Sequence, residues 1–219
     1  MSGSYPDPTR RQPPGFGLVA EDDAAFAARG EQIADYLYAN FPGLRGLGQR
    51  QPHFDPARDR TTDPVEHTVE MIALLDTRGL PPEDAATLRA AAVFHDVGKL
   101  IDPLDVRHAI QSTEICPPYL EDFDLTPEQR ADAVAIVANH DTLGRLAQGR
   151  ITPEEAAMLF GTPRIAELTL RLTRADIASI RFLAHVLPSV EVAYQAVVAA
   201  FEAGGLSRDE RDVEKEERP

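Results

Sequence analysis

The feature that most restricts the fold is a recurring way of starting a helix. Asp63-Pro64, Thr126-Pro127-Glu128-Gln129, Thr152-Pro153-Glu154-Glu155 and Thr162-Pro163 each put an N-capping side chain before a proline. The fixed φ of that proline suits the first helical turn, where its missing N–H costs nothing. Thr126 and Thr152 also carry Gln or Glu three residues on, the reciprocal capping arrangement. Pro81-Pro82-Glu83-Asp84 opens another helix with acidic residues at the positive end of its dipole. Between these starts apolar residues recur at helical spacing, and no segment alternates as a strand does. Trp is absent and aromatics make up only 6% of the chain, so Ala, Leu, Val and Ile must build the core. The first two favour helix. The expectation is an all-α helical bundle in one domain over residues 21–204.

Residues 1–20, dense in Pro and Gly, read as a flexible N-terminal arm, and 205–219 as a solvated charged tail. A helix is predicted from Glu21 to about Asn40, with Phe26, Ile33, Leu37 and Phe41 along one stripe. A long loop over 42–63 follows. The next helix, from Pro64 to about Arg78, puts His67, Met71 and Leu74 on one face. The helix after Pro82 runs through Leu88 to His95-Asp96 and is stopped by Gly98. A segment from near Asp105 carries His108 and is broken at Pro117-Pro118. The helix from Pro127 ends its inward stripe of Ala133, Ile136 and Val137 on His140, with Gly144 closing the segment. A short helix to Phe160 follows Thr152. After Thr162, Ile165, Leu168, Leu172 and Asp176 lie on one line, and Pro188 divides the remainder.

Ala90-Ala-Ala-Val-Phe-His-Asp-Val-Gly-Lys99 is the stretch around which the chemistry gathers. Imidazole and carboxylate are costly to bury without partners, yet His95-Asp96 finishes an apolar helix. His67 and His140 sit at the ends of inward stripes, and Asp176 interrupts another. His67, His95, Asp96, His108, His140 and Asp176 together form a mixed nitrogen and oxygen ligand set. Such a set suits manganese, iron, nickel, cobalt or zinc, one or two ions per chain, better than calcium or magnesium. Thiolates for a closed structural zinc site are lacking, because Cys116 stands alone. Lys99, one of two lysines with Lys215, reads as a cation at a helix C-terminus. Asp141 reads as a solvated loop residue or a partner of a histidine, and His108 as a ligand or a surface neighbour.

A formal charge of −14 argues against nucleic acid and anionic membrane as partners, leaving a small substrate. The lone cysteine, the lack of an apolar signal core and of any stretch read as long enough to span a bilayer lead to the expectation of a cytoplasmic protein.

The order His67, His95-Asp96 with Gly98-Lys99, then Asp176 resembles the HD-domain superfamily of metal-dependent phosphohydrolases, over about residues 50 to 182. Gln51-Pro-His-Phe, Glu66-His67-Thr68, His95-Asp-Val-Gly-Lys99, Arg107-His108 with Ser112, Asn139-His140-Asp141 and Thr173-Arg-Ala-Asp-Ile177 are similar to the HD domain of CCA-adding tRNA nucleotidyltransferases, here expected to be free-standing. The resemblance implies that His67, His95, Asp96 and Asp176 hold one metal, and that His108 and His140 add a second with Asp96 bridging. It implies that Lys99 binds substrate phosphate and that Asp96, beside the attacking water, accepts a proton. Asp141 stands where cyclic-dinucleotide phosphodiesterases carry a further His, and their Gly-Tyr-Pro motif is missing. Hydrolysis of a phosphomonoester or phosphodiester, in particular of a nucleotide, is the expected activity, with Arg60, Arg107 and Arg145 as a positive rim. An HD-fold diiron oxygenase that cleaves a carbon bond and a nucleotide-sensing module without turnover are the alternatives.

Overall fold

The computed structural model describes residue 18 and residues 22–45, 47, 54–55, 60–61, 63–101 and 107–204. In chain order the helices are α1 Asp23–Ala27, α2 Gly30–Asn40, α3 Pro64–Ile72, α4 Pro82–Phe94, α5 His108–Ile115, α6 Pro117–Leu120, α7 Pro127–Asn139, α8 Thr142–Ala147, α9 Pro153–Phe160, α10 Pro163–Ser179 and α11 Leu187–Ala203. The fold is an all-α bundle. Strand structure among the described residues amounts to β1 Phe54–Asp55 and β2 Arg60–Thr61, two residues each, paired antiparallel.

The capping devices do what their spacing predicts. Asp63 accepts from Val65 N–H at 2.8 Å and from the Tyr38 hydroxyl at 3.0 Å, tying the start of α3 to α2. Thr126 and Thr152 each complete a capping box with Gln129 and Glu155, and Thr162 accepts from Ile165 N–H. α4 lies at the centre, with every residue from Ala85 to Phe94 buried. Its alanines let α7 approach closely, and α3 and α10 cover its other sides. Phe94, at its end, meets Tyr36 and Phe123 edge-on at 6.4 and 5.7 Å, a geometry favoured by the ring quadrupoles. At the start of α10, Arg164 reaches Asp84 of α4 and Asp132 of α7. Three site-bearing helices are thus locked at one end.

Several local expectations give way to tertiary packing. The predicted helix over 21–40 is two helices, α1 and α2, joined through Ala28-Arg29. α3 stops at Ile72, so Leu74 falls beyond it and is half exposed rather than facing the core. Gly144 does not close its segment but lies inside α8. Leu18 falls in the stretch read as an arm, yet it is fully buried, and its carbonyl accepts from Arg89 at 2.8 Å. The rest of residues 1–20, most of the 42–63 loop and the 205–219 tail lie outside the described residues. The absence of a bilayer-length stretch needs correcting, because Leu183–Ala203 is helical, long and apolar enough to cross a membrane by length and composition. Val190, Ala193, Val197 and Phe201 on that helix are buried in the protein, against α8, α9 and α10.

Candidate metal centre

α4 ends at Phe94, so His95 and Asp96 form the turn that leads into a 3-10 turn over Val97–Leu100. Gly98 has a different duty from the helix stop expected of it. A Cβ there would lie 2.1 Å from the His108 carbonyl oxygen and 2.5 Å from Ser112 N. Only glycine lets the start of α5 press against this turn. Ser112 fastens the contact, donating to the His95 carbonyl at 2.8 Å and accepting from Gly98 N–H at 2.8 Å. α5 in this way delivers its first residue, His108, to Asp96. α3 contributes His67, the end of α7 contributes His140 with Asp141, and α10 contributes Asp176.

These side chains meet. Ligand atoms of His67, His95 and Asp96 lie within 4.8 Å of one another, and so do those of Asp96, His108 and His140. Asp96 belongs to both groups and turns one oxygen to each. Its Oδ2 is 3.4 Å from His95 Nε2 and 3.8 Å from His67 Nε2, while Oδ1 is 3.4 Å from His108 Nε2 and 3.9 Å from His140 Nε2. Asp176 joins through His67, with Oδ1 2.8 Å from Nε2. Lys99 is buried and ion-paired to Asp96 Oδ2. Asp141 stands 3.4 Å from His108 Nε2 and 3.7 Å from His140 Nε2.

The rings are held with their Nε2 atoms inward. His95 Nδ1 lies 2.9 Å from the Ala92 carbonyl and His140 Nδ1 2.8 Å from that of Val137. A carbonyl can only accept, so both Nδ1 atoms carry a hydrogen and each ring turns its Nε2 to the site, where it can ligate an ion. His67 follows the same logic. Ser179 donates to the Asp176 carbonyl at 2.7 Å and so accepts from His67 Nδ1 at 3.1 Å. His67 Nε2 then faces the Asp176 carboxylate, two acceptors at 2.8 Å that need a proton or a cation between them. Thr173 steadies His140 by donating to its carbonyl at 2.9 Å.

Burial opposes ionisation of Asp96, but Lys99, His95 and His108 outweigh it and hold the carboxyl well below its usual range. Burial likewise opposes ionisation of Asp176, and the hydrogen bond and charge of His67 bring it down. For His140, burial disfavours the charged ring, yet Asp141, Asp96 and Asp176 prevail and raise it. Burial lowers His108, and the neighbouring His140 adds to this. Both carboxylates therefore stay anionic, as metal ligands must.

A cation fits the residues present. His95 Nε2 and Asp96 Oδ1 are buried without a hydrogen-bond partner among the described residues. Leaving such atoms unsatisfied costs about 1–3 kcal/mol each. Imidazole and carboxylate donors with no thiolate match the transition ions expected above.

The centre opens into a cavity of about 560 Å³ whose lining includes Lys99, Arg107 and Arg145. Arg60 belongs to β2, but its side chain lies outside the described residues; so does His53. His185 is exposed in the 3-10 turn Arg181–Val186. Sequence reasoning missed Ser179 and Thr173 as supports, although Ser179 stands one helical turn from Asp176 and Thr173 one turn before it. It also passed over Arg150, which lines the same cavity. Cys116 is buried, which pushes its thiol up to about 12.

An all-α bundle that gathers imidazoles and carboxylates from separate helices around a shared aspartate defines a candidate metal-binding protein. The chain belongs to the HD-domain family: the family model for the HD domain matches residues 65–179, over half of the chain. All six candidate ligands lie within that stretch. No curated protein and no solved structure matches the chain.

Proposed function

We propose that the chain is a metal-dependent phosphohydrolase that cleaves a phosphomonoester or phosphodiester, of a nucleotide above other esters. One observation carries this reading. Asp96 turns its two oxygens to two groups of inward Nε2 atoms, beside a buried Lys99 and at the floor of a cavity with a basic rim. His67, His95, Asp96 and Asp176 would hold one ion, and Asp96, His108 and His140 a second. A bound divalent ion supplies positive charge for a phosphoryl group and acidifies water.

The chain's own residues do the rest. The carbonyl contacts of His95 and His140 keep their lone pairs aimed at the centre without reorganisation. Lys99 offsets charge on the phosphoryl oxygens. Hydrolysis joins a water oxygen to phosphorus and breaks the ester P–O bond, with a proton passing to the leaving alkoxide. Asp96, facing both groups of imidazoles, would serve as a ligand and, beside the attacking water, as acceptor of its proton. Arg107 and Arg145 line the cavity and would meet the negative charge of the substrate.

The shared Asp96 also accommodates the oxygenase alternative, which needs two ions. Elemental analysis of the purified protein, with assays on p-nitrophenyl phosphate and bis-p-nitrophenyl phosphate in manganese, nickel, cobalt and iron, decides between them. Metal-dependent release of nitrophenol that disappears in Asp96→Ala is expected. Oxygen consumption by iron-loaded protein with no ester hydrolysis in any metal would overturn the hydrolase reading. A nucleotide that raises the melting temperature yet survives incubation would point to the sensing module instead.

A further inference from the structure

Most arginines among the described residues are engaged. Arg78 pairs with Asp76, Arg89 with Asp23, Arg164 with Asp84 and Asp132, Arg171 with Glu167, and Arg174 with Glu191. With 36 acidic residues against 22 basic ones, a partner is seldom far away. Arg145 and Arg150 depart from this pattern. Neither side chain makes a hydrogen bond or ion pair with the described residues, and both line the cavity over the candidate metal centre.

Their placement is built by the end of α8. Arg145 follows Asp141 by one helical turn, its N–H bonded to the Asp141 carbonyl at 3.0 Å. Four residues of helix carry it about 6 Å along the axis from the ligand cluster. Gly149 then takes φ +67°, a left-handed conformation that glycine adopts without strain. The turn folds the chain back so that Arg150 N–H bonds the Arg145 carbonyl at 3.0 Å, a Schellman closure. Two guanidinium groups are thereby rooted side by side, one helical turn beyond the phosphate-binding end. The wall formed by Ile177, Ile180, Leu183 and Val186 is aliphatic.

We propose that Arg145 and Arg150 form a second oxyanion subsite, and that the substrate is a phosphate ester bearing a second, separate anionic group. The scissile phosphate sits at Lys99 and the Asp96 cluster. The second anion, a phosphate or carboxylate, is gripped by the arginine pair, and the body of the molecule lies along the aliphatic wall. Guanidinium groups match such oxyanions through paired N–H donors. Among the described residues, the acidic side chains lining the cavity are Asp96, Asp141 and Asp176 at the centre, so the arginine end favours a negative ligand. This substrate class rests on the phosphohydrolase reading.

The test uses two probes with no ester bond to break, propane-1,3-diyl bisphosphonate and propylphosphonate. Each is titrated calorimetrically into the full-length, manganese-loaded protein at fixed free manganese. The bisphosphonate should bind about tenfold tighter or more, the scale of one charge-assisted hydrogen-bonded pair. In Arg145→Ala/Arg150→Ala that advantage should shrink to about threefold or less, and in wild type it should weaken as salt is raised. Equal affinities for the two probes in wild type overturn the proposal, as does an advantage that survives the double substitution. Binding is read without turnover, so the two readings fail separately. A bisphosphonate preference lost in the double variant, in a protein that hydrolyses neither nitrophenyl ester in any metal and consumes oxygen when loaded with iron, removes the hydrolase reading and leaves the subsite standing.

Discussion

The two ends of the candidate centre use the same donors and are built differently. At one end His67 and Asp176 come from the bodies of packed helices, α3 and α10, and Ser179 fixes the ring between them. The His67 side chain is 7% exposed. At the other end His108 is the first residue of α5, and Asp141 follows α7 with its side chain 40% exposed at the cavity. Helix interiors fix a side chain through two neighbouring turns, whereas a first-turn residue has its own helix on one side only. The difference teaches that one end is preorganised for an ion. The other depends on how α5 is docked, through Gly98 and Ser112. An ion should accordingly bind first and tighter at the His67 end.

Removing what the two ends share has the largest effect. Asp96→Ala should abolish binding at both and lower hydrolysis on the order of 10³-fold or more. It also strands Lys99 as a buried, unpaired charge, which costs about 3–5 kcal/mol, so a lower melting temperature should accompany the loss. Elemental analysis of the variant checks it; a full ion at either end would contradict a bridging Asp96.

Breaking the support at one end should separate the two. Ser179→Ala removes the partner that orients His67, and loss of such a support typically costs about 10–100-fold in metal affinity. The loss should fall on the tighter of two calorimetric binding steps. Equal weakening of both steps would mean the ends are not distinct. Gly98→Ala addresses the opposite end. The added methyl cannot occupy a position 2.1 Å from the His108 carbonyl, so α5 must shift, at about 1–3 kcal/mol of stability. The weaker step should disappear while the tighter one persists, which thermal melting and manganese titration read together.

Much of this arrangement was legible from periodicity. His67, His95, His140 and Asp176 stand out because each breaks an apolar stripe, and a polar group on an inward stripe must be answered by something. The caps were legible for a related reason: Thr126 and Thr152 act on their own first turns, so spacing alone specifies the contact. What spacing does not encode is contact between helices. Ser179 on His67, and Ser112 bridging His95 and Gly98, follow from how α10 meets α3 and how α5 meets the turn after α4. Gly98 is ambiguous in the sequence, since glycine marks helix ends and close approaches alike. Gly144 misled for the same reason: a helix tolerates one interior glycine at about 1 kcal/mol. Arg150 carried no signal, because an exposed arginine is unremarkable until its lack of a carboxylate partner is seen.

The smallest effect expected tests whether exposure governs the weaker end. Asp141 lies 3.4 Å from His108 and 3.7 Å from His140, close enough for its charge to attract a cation held by the two rings. A carboxylate as open as this acts through water-screened charge, and exposed pairs of this kind are worth about 0–1 kcal/mol. Asp141→Asn should therefore weaken the second binding step by about fivefold or less, leave the first unchanged, and lose even that difference in high salt. A loss as large as that of Ser179→Ala would place Asp141 among the ligands, and the second end would then be as firmly built as the first.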